Sequence, residues 1–451
     1  MTARSCLSII LAAGLGTRMK SDLPKVMHEI GGLPLVGHVL KALQNAGSDR
    51  ISTVTGPDMP ALENLVHELV PTARCYVQSE RLGTAHAALA AKASLEIPAD
   101  DVLVLFGDTP LVTSRTISTV RQALQNGADL VVLGFETKSP TGYGRLLAKE
   151  GRLVAIREEK DASEAERQIT FCNSGIMGFS GKHALSLLTA IGNENANGEF
   201  YLTDAVEIAN KRGLTVAAVR GTEVETQGIN TRVQLASCEN DFQRRMRLEA
   251  MESGVSLQAP HTVFFSHDTV LEPDVTVEPN VVFGLGVRVT TGAKIRAFSH
   301  LEGAQVGSGA VVGPYARLRP GTVLGADTRV GNFVEVKNAT FGSGAKANHL
   351  SYVGDASVGS KSNIGAGTIT CNYDGYLKHR TEIGAGSFVG SNSTLVAPVK
   401  LGNGTFVAAG SVITDDVQRD SLALGRSKQV VKEGKAKRLR EKLKAAKDSK
   451  S

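Results

Sequence analysis

Tryptophan is absent from this sequence, other aromatic residues are few, and long apolar runs are missing. The 451 residues contain 7 Tyr and 14 Phe against 48 Gly, a balance typical of tight turns and of packing between small side chains. No stretch reaches the roughly 18 apolar residues of a membrane-spanning helix, so no membrane span is expected. The chain start lacks a basic segment followed by an apolar core and a cleavage site, and we interpret 7–13 as a first strand, not as a secretory signal.

Cysteine is also scarce, and no two cysteines form a C-x-x-C pair. The five thiols are widely dispersed, at Cys6, Cys75, Cys172, Cys238 and Cys371. An odd and scattered set predicts reduced thiols in a cytoplasmic protein and argues against a zinc site.

The excess of positive charge is confined to the end of the chain. The formal net charge is +5, but residues 428–451 alone hold ten Lys or Arg against three Asp or Glu, so the rest is slightly negative. We interpret 428–451 as a basic, solvated and disordered tail. Because no nucleic-acid-binding motif accompanies it, no nucleic-acid partner is expected.

Residues 1–230 alternate apolar runs with amphipathic segments. The predicted strands are 7–12, 51–55, 102–106, 130–135 and 214–219, and the predicted helices include 35–46, 61–69 and 84–93. This alternation predicts an α/β, doubly wound (Rossmann-like) domain whose mostly parallel sheet binds ligands beyond the carboxyl ends of its strands. Residues 231–252 contain neither Gly nor Pro and are predicted to form one long linker helix, a rigid spacer.

From residue 253 to 427 the pattern changes to a repeat of six residues. Aliphatic side chains recur at Val289, Ile295, Leu301, Val306, Val312, Leu318, Leu324, Val330 and Val336, and after a phase slip at Val353, Val358, Ile364, Ile383, Val389, Leu395, Leu401, Val407 and Ile413. One inward aliphatic residue per side, with glycines at the turns, predicts a parallel β-helix of about eight coils. Repeats of this kind resemble those of the left-handed β-helix acyltransferases.

One segment interrupts the repeat, "TCNYDGYLKHRTE" at 370–382. We expect it to form a loop that leaves the coils intact and reaches a neighbouring subunit, since insertions in solenoids commonly carry function.

The glycine-rich turn "LAAGLGTRM" at 11–19 indicates a phosphate site at the end of the first strand. A dinucleotide fold would need a third glycine where Met19 stands, and a P-loop would need a lysine followed by a hydroxyl residue. The remaining interpretation is a looser cradle, in which the amides near Gly14 and Gly16 face phosphate oxygens while Arg18 and Lys25 supply positive charge.

Several motifs together resemble one bacterial enzyme family. "LAAGLGTRMKSDLPKVMH" in the first half, and "RLRPG", "VEVKN", "NHLSYVGD" and "NIGAGTITCNYDG" in the second, are similar to those of the bifunctional N-acetylglucosamine-1-phosphate uridyltransferase/glucosamine-1-phosphate N-acetyltransferases. The resemblance extends to about residue 430. It implies acetyl transfer from acetyl-CoA to glucosamine-1-phosphate, then uridylyl transfer from UTP to N-acetylglucosamine-1-phosphate, giving UDP-N-acetylglucosamine for cell-wall and lipopolysaccharide synthesis.

For the first half, the resemblance implies catalytic roles for Arg18 and Lys25 at the phosphates. It places UTP or the sugar nucleotide on Leu11, Ala12, Ala13, Gly14, Lys25, Gln78, Gly83, Thr84, Gly144, Glu158, Asn173 and Asn230, with Glu159 as a neighbour that could take the place of Glu158. Within this set, Gln78, Gly83 and Thr84 resemble the positions that read the uracil base, and Gly144, Glu158 and Asn173 resemble those that bind the sugar. Asp108 ends a buried strand, at the edge where parallel sheets bind ligands, and suits Mg²⁺. The resemblance adds Asn230 as the second ligand.

For the second half, the resemblance implies that His349 is the base that accepts a proton from the attacking amine. The sugar phosphate is placed on Arg319, Lys337, Tyr352 and Asn363, and acetyl-CoA on Ala366, Asn372, Tyr373, Ser391, Ala409 and Arg426. Arg319 and Lys337 are one coil apart, so both can point at one phosphate.

The family pattern also implies a homotrimer, because the ejected loop and the prism faces come together only between copies. Two alternatives stay open from the sequence: a single-activity sugar-1-phosphate nucleotidyltransferase whose β-helix is structural, and a β-helix scaffold or regulatory subunit with an inactive catalytic domain. The presence of Arg18, Lys25 and Asp108 argues against the second alternative.

Overall fold

The computed structural model describes residues 4–449. The chain divides into two compact units, residues 1–248 and residues 249–451. The boundary falls inside the helix predicted at 231–252.

A nine-stranded sheet forms the centre of the first unit. Its strands are β1 (Cys6–Leu11), β2 (Arg50–Thr55), β3 (Arg74–Val77), β4 (Asp101–Phe106), β5 (Leu130–Glu136), β6 (Arg145–Lys149), β7 (Arg152–Arg157), β8 (Phe171–Ser180) and β9 (Val216–Arg220). The order across the main path is β9-β5-β8-β4-β1-β2-β3, and β6 pairs with β8 and β7. Pairing on this path is parallel except where β8 meets β4 and β5. The mostly parallel, doubly wound sheet is therefore confirmed.

Helices cover both faces of this sheet. The helices that begin in this unit are α1 (Leu35–Asn45), α2 (Pro60–Leu69), α3 (Thr84–Ala90), α4 (Lys92–Leu95), α5 (Ser114–Gln125), α6 (Glu164–Arg167), α7 (Gly181–Thr189), α8 (Ala205–Lys211), α9 (Glu223–Thr226) and α10 (Arg232–Glu252). Successive residues of β1 alternate between two apolar clusters, with Ile9 and Leu11 in one and Ile10 in the other. This alternation is the period-two pattern of a strand buried on both faces, which explains the continuous apolar run in the sequence.

The long helix α10 has the predicted extent, but part of it is not a free spacer. Cys238 and Phe242 are buried in an apolar cluster with Ile30 and Leu35 of the first unit. The sequence predicts a helix here because good helix formers occur without interruption. The packing depends on residues more than two hundred positions away, which a local pattern does not contain.

The second unit is a parallel β-helix with three faces. Face A contains, within the described residues, ten strands: Ser256–Leu257, Thr276–Val277, Lys294–Ile295, Val311–Val312, Arg329–Asn332, Lys346–His349, Asn363–Ile364, Phe388–Val389, Phe406–Val407 and Leu422–Ala423. Face B is formed by Val282–Phe283, His300–Leu301, Arg317–Leu318, the first residues of Glu335–Phe341 and Tyr352–Val358, and then Ile369–Cys371, Thr394–Val396 and Val412–Ile413. Face C is formed by Val270–Leu271, Arg288–Val289, Ala304–Val306, Thr322–Leu324, the remainder of Glu335–Phe341 and Tyr352–Val358, and then Thr381–Ile383 and Val399–Leu401.

The interior of this prism is the predicted aliphatic ladder. All eighteen aliphatic residues of the six-residue pattern are buried. The apparent phase slip is not a gap, because Phe341 and Ala347 fill the inward positions between Val336 and Val353. The ten strands of face A exceed the predicted eight coils, since the first coils begin at Ser256, before the aliphatic series becomes regular. The fold is the left-handed β-helix of hexapeptide repeats that the sequence predicts.

The interrupting segment leaves the prism as a loop, as predicted. Asn372 to Arg380 lie between the face B strand Ile369–Cys371 and the face C strand Thr381–Ile383. Inside the loop, the Asp374 carboxylate accepts hydrogen bonds from the amides of Tyr376 (2.8 Å) and Leu377 (2.7 Å) and pairs with His379 (2.7 Å). Tyr376 is almost fully exposed.

The basic tail differs from its predicted disorder. Residues Lys435–Asp448 form helix α11, and none of its residues is buried. Lys, Arg, Glu, Leu and Ala are good helix formers, so the local propensity of this segment favours a helix.

Two further observations concern the whole described chain. Within residues 4–449, no helix is long and apolar enough to cross a membrane. All five cysteines are free thiols. The cytoplasmic location inferred from them stays a prediction.

Candidate active sites

The glycine-rich turn follows β1 directly and brings a lysine against it. The carbonyl of Leu11 accepts a hydrogen bond from Gly107 (3.0 Å), which joins the turn to the end of β4. Gly16 has a left-handed backbone (φ +63°), and a Cβ there would collide with the side chain of Lys25. Only glycine permits this close approach. A Cβ at Gly14, in contrast, would meet nothing within 4 Å, so the turn is open on that side.

The four polar residues predicted to handle phosphate and metal converge at the carboxyl end of β4. The Lys25 ammonium forms an ion pair with the Asp108 carboxylate and donates a hydrogen bond to Asn230 Oδ1 (3.1 Å). Arg18 donates to the same amide oxygen (2.9 Å). The main chain holds the cluster, because the Ile229 amide donates to the Asp108 carbonyl (3.0 Å).

A cavity of about 340 Å³ lies beside this cluster. It is lined by Leu11, Ala12, Ala13, Gly14, Lys25, Val26, Gln78, Arg81, Gly83, Thr84, Ala87, Phe106, Asp108 and Glu199. The predicted nucleotide contacts from the glycine turn and from the segment 78–84 therefore share one cavity. Arg18 and Asn230 do not line the cavity. Asn230 contacts the lining residue Lys25, and Arg18 contacts Asn230.

The far side of the cavity holds the residues predicted to bind the base. Gln78 is buried and donates to the Gly83 carbonyl (3.3 Å), while the Thr84 hydroxyl accepts from the Leu202 amide (2.9 Å). Gly83 has φ +121°, and a Cβ there would lie 2.5 Å from the Phe200 carbonyl oxygen. The base-side wall is therefore a closely packed backbone surface.

Sequence reasoning missed five lining residues: Val26, Arg81, Ala87, Phe106 and Glu199. Arg81 Nε donates to the Ala13 carbonyl (2.9 Å) and so fixes the glycine turn from the opposite wall. The signal was available for Arg81 and Phe106, because the segments "VQSERLGTAHA" (77–87) and "VLVLFGD" (102–108) also contain predicted site residues.

The predicted sugar-binding residues form a second group. The Asn173 amide donates to the Gly144 carbonyl (2.8 Å), and a Cβ at Gly144 would lie 3.2 Å from a Glu158 carboxylate oxygen. Burial raises the pKa of Glu158, although the hydrogen bond from Thr203 (3.2 Å) opposes the shift. Glu159 instead forms an ion pair with the buried Arg145 (2.7 Å), so Glu158 is the carboxylate that faces Gly144.

In the second unit, three cations gather at the corner between faces B and C. The register that pairs Arg317 with Glu335 and Leu318 with Val336 stacks Arg319 beside Lys337, one coil apart as predicted. The neighbouring ammonium of Lys378, followed by the Arg319 guanidinium, lowers the pKa of Lys337. Sequence reasoning missed Lys378, because it lies on the loop and only the tertiary structure brings it here.

The loop is anchored at this same corner. Asn372 donates to the Asp355 carboxylate and lies 3.5 Å from the Tyr352 hydroxyl. Asn338 donates to the other oxygen of Asp355 (2.6 Å). Burial opposes ionisation of Asp355, but the hydrogen bonds from these two amides and the nearby lysines hold its pKa below the usual value. Tyr373 follows Asn372 outward and is largely exposed.

His349 lies at the other edge of face B, on the corner between faces A and B. It is exposed, and its Nδ1 lies 2.7 Å from Asn332 Oδ1 on the preceding coil. The predicted acetyl-CoA positions follow in successive coils along this corner. Gly367 donates to the His349 carbonyl, Asn392 to Ala366 (2.7 Å), Gly410 to Ser391 (2.8 Å), and the Arg426 guanidinium to Ala409 (2.7 Å).

A single prism does not bring every predicted contact together. Asn363 lies on face A, in register with Lys346, while Lys337 lies at the corner between faces B and C. Beside His349, exposed apolar side chains form a ladder in which Phe298, Tyr315 and Phe333 stack with centroids 4.9 and 5.2 Å apart.

Comparison with known proteins agrees with both units. A family model for the MobA-like NTP transferase domain matches residues 8–170, and one for the bacterial transferase hexapeptide (six repeats) matches residues 380–415. A bifunctional protein GlmU from Azorhizobium caulinodans is 58% identical over 440 residues, 98% of each chain. The chain belongs to the GlmU family.

Other GlmU proteins agree with this assignment. One from Agrobacterium fabrum is 54% identical over 447 residues, 99% of each chain, and one from Chelativorans sp. is 56% identical over 452 residues, the whole of each. Membership confirms the predicted pair of activities: the chain is a transferase that acetylates glucosamine-1-phosphate from acetyl-CoA and makes UDP-N-acetylglucosamine from UTP. Its nucleotide-transfer reaction uses a divalent metal ion, as is general in the GlmU family.

Proposed function

We propose that uridylyl transfer takes place in the cavity beside the glycine turn. In this reaction a phosphate oxygen of N-acetylglucosamine-1-phosphate attacks the α-phosphate of UTP, and pyrophosphate leaves. The chemistry requires alignment and neutralisation of charge more than covalent participation by the protein. Gln78, Gly83 and Thr84 hold the base, Gly144, Glu158 and Asn173 hold the sugar, and Arg18 and Lys25 neutralise the phosphates.

The observation that supports this assignment is the convergence of Arg18, Lys25, Asp108 and Asn230 at one point. Four polar side chains from distant segments would not meet in this way by local folding alone. The Lys25 ammonium forms its ion pair with Asp108, leaving the glycine turn open at Gly14. A triphosphate entering on that side would meet the amides of the turn and both cations.

We propose Mg²⁺ as the divalent ion, held by Asp108 and Asn230. The fit is good, because a carboxylate oxygen and an amide oxygen converge on a single cation, the Lys25 ammonium. Mg²⁺ prefers oxygen ligands and is commonly bound by one or two protein groups together with substrate phosphates. No group of three or more His, Cys, Asp or Glu able to hold a metal is found among residues 4–449, which is compatible with a site completed by substrate. When bound, the ion supplies neutralisation of phosphate charge.

We propose that acetyl transfer takes place on the prism. The amine of glucosamine-1-phosphate attacks the thioester carbonyl of acetyl-CoA, and the CoA thiolate leaves. The amine must lose a proton, which the His349 imidazole accepts. Arg319, Lys337 and Lys378 hold the sugar phosphate, with Tyr352 and Asn363 on the sugar. Acetyl-CoA lies along the corner formed by Ala366, Ser391, Ala409 and Arg426. Asn372 and Tyr373 would reach it from the loop of a neighbouring copy, since the loop of the same chain is held at the corner between faces B and C.

Replacing Lys337 by alanine tests the phosphate site. We expect the KM for glucosamine-1-phosphate to rise about ten-fold or more, because a charge-assisted contact to phosphate is lost. The KM for acetyl-CoA and the rate of uridylyl transfer should stay unchanged in steady-state assays. Lys294→Ala removes an exposed lysine from face A, away from the predicted site residues, and should have no effect. An unchanged KM for glucosamine-1-phosphate in the Lys337 variant would remove the phosphate role from this corner.

We further propose that the active form is a homotrimer. The phosphate corner and the His349 corner bound opposite edges of face B, and the apolar ladder beside His349 is exposed in the single chain. Packing of one prism against the next would cover the ladder and close the site. Light scattering should give three times the chain mass, and replacing Phe333 by glutamate should reduce that mass together with acetyl transfer. A monomer with full acetyltransferase activity would contradict the proposal.

A further inference from the structure

The hydrogen bond between His349 and Asn332 joins two neighbouring coils at their corner. Asn332 and His349 are register partners in the parallel pairing of face A. The two coils are closely packed at this corner, since a Cβ at Gly331 would collide with the Asn348 carbonyl. The Leu350 amide also donates to the Asn332 carbonyl (3.1 Å). The main chain therefore fixes the two side chains opposite each other.

The chemistry of this contact distinguishes the two ring nitrogens. A neutral imidazole carries one proton, and the nitrogen that carries it cannot accept another. Asn332 places its carbonyl oxygen, an acceptor, 2.7 Å from Nδ1. An acceptor at that position favours the tautomer with the proton on Nδ1, which leaves the lone pair on Nε2 for the substrate amine.

We infer that Asn332 is a positioning residue for acetyl transfer, which sets the tautomer and the ring orientation of His349. This inference rests on the proposed role of His349 as the base. The preceding coil contacts the imidazole through Asn332, which does not titrate, and the following coil contacts the His349 main chain through the Gly367 amide (3.3 Å). The charged residues on the same face, Lys346 and its register partner Arg329, stand at the opposite ends of their strands. Asn332 is thus the neighbour that can control the ring.

The first test is Asn332→Ala. Loss of the contact should lower kcat for acetyl transfer about ten-fold or more, the usual scale for removing a partner that orients a catalytic group. The KM values for acetyl-CoA and glucosamine-1-phosphate should change by less than about two-fold, since Asn332 does not bind either substrate in this scheme. Asn403→Ala is the matched control, because Asn403 also joins two coils, through the Ala385 amide (2.8 Å), at another corner.

The second test, Asn332→Asp, separates tautomer control from a general structural role. A carboxylate can only accept, so it should retain the Nδ1 proton and preserve most of the maximal rate. Its negative charge should favour the protonated imidazolium over the neutral base. Because the base must be neutral, the acidic limb of the kcat profile should then move to higher pH.

The outcomes distinguish this inference from the proposal on which it rests. Full activity of Asn332→Ala would overturn the inference. Inactivity of Asn332→Asp at every pH would also overturn it, because that result would mean that Nδ1 of His349 accepts a hydrogen bond and does not donate one. Activity of a His349 variant would instead overturn the assignment of the base. The thermal unfolding temperature and the mass of each variant, compared with those of Asn403→Ala, show whether a rate loss comes from misfolding. If Asn332→Ala misfolds, the activity of Asn332→Asp decides whether the inference holds.

Discussion

Replacing His349 by alanine is expected to slow acetyl transfer at least about a hundred-fold, the lower range for loss of a general base. Uridylyl transfer should remain within about two-fold of the wild-type rate, because the predicted residues of that reaction all lie in the first unit and His349 in the second. Both reactions can be followed on one preparation, by release of CoA thiol and by release of pyrophosphate.

The matched control for this prediction is His300→Ala. His300 is an exposed histidine on face B, in register with Arg317 and about three coils before His349. It should keep both activities. Retention of substantial acetyl transfer in the His349 variant, or loss of both activities in a folded protein, would contradict the assignment of separate sites.

Replacing Asp108 by asparagine should have the reverse effect. The substitution keeps the side-chain size but removes the charge that pairs with Lys25 and that would bind the metal ion. We expect uridylyl transfer to fall at least about a hundred-fold, since charge stabilisation by a metal ion contributes several kcal/mol to such reactions. Acetyl transfer should not change. Pyrophosphate release measured against Mg²⁺ concentration tests whether the metal requirement also weakens.

Glu136→Gln is a suitable comparison for Asp108→Asn. It breaks the exposed ion pair with Arg220 (2.7 Å) in the same unit, at a place where a carboxylate has no predicted role. Surface ion pairs contribute little to stability, so this variant should behave as the wild type. If Asp108→Asn kept its uridylyl transfer, the cluster of Arg18, Lys25, Asp108 and Asn230 would not be the phosphate and metal site.

Much of the second unit could be predicted from the sequence because its contacts are periodic. The inward position recurs every six residues, so Val289, Leu318 and Val407 could be assigned to the interior without any knowledge of their partners. The same rule misjudged the region from 336 to 353, where Phe341 and Ala347 fill the inward positions. Neither is a branched aliphatic residue, and the spacing there shortens by one residue.

The sequence alone also indicated the glycine turn, the strand-end carboxylate and the family, since each depends on short contiguous motifs. Only the tertiary structure decided which side chains meet. It brought Lys378 from the loop to Lys337, set Arg81 against Ala13, placed Glu158 rather than Glu159 beside Gly144, and joined Asn332 to His349. The physical reason is the separation along the chain between the residues that make each contact. Turns and repeats are determined by neighbours along the chain, whereas these contacts join segments brought together by packing, and a single sequence carries no local signal for the distance between them.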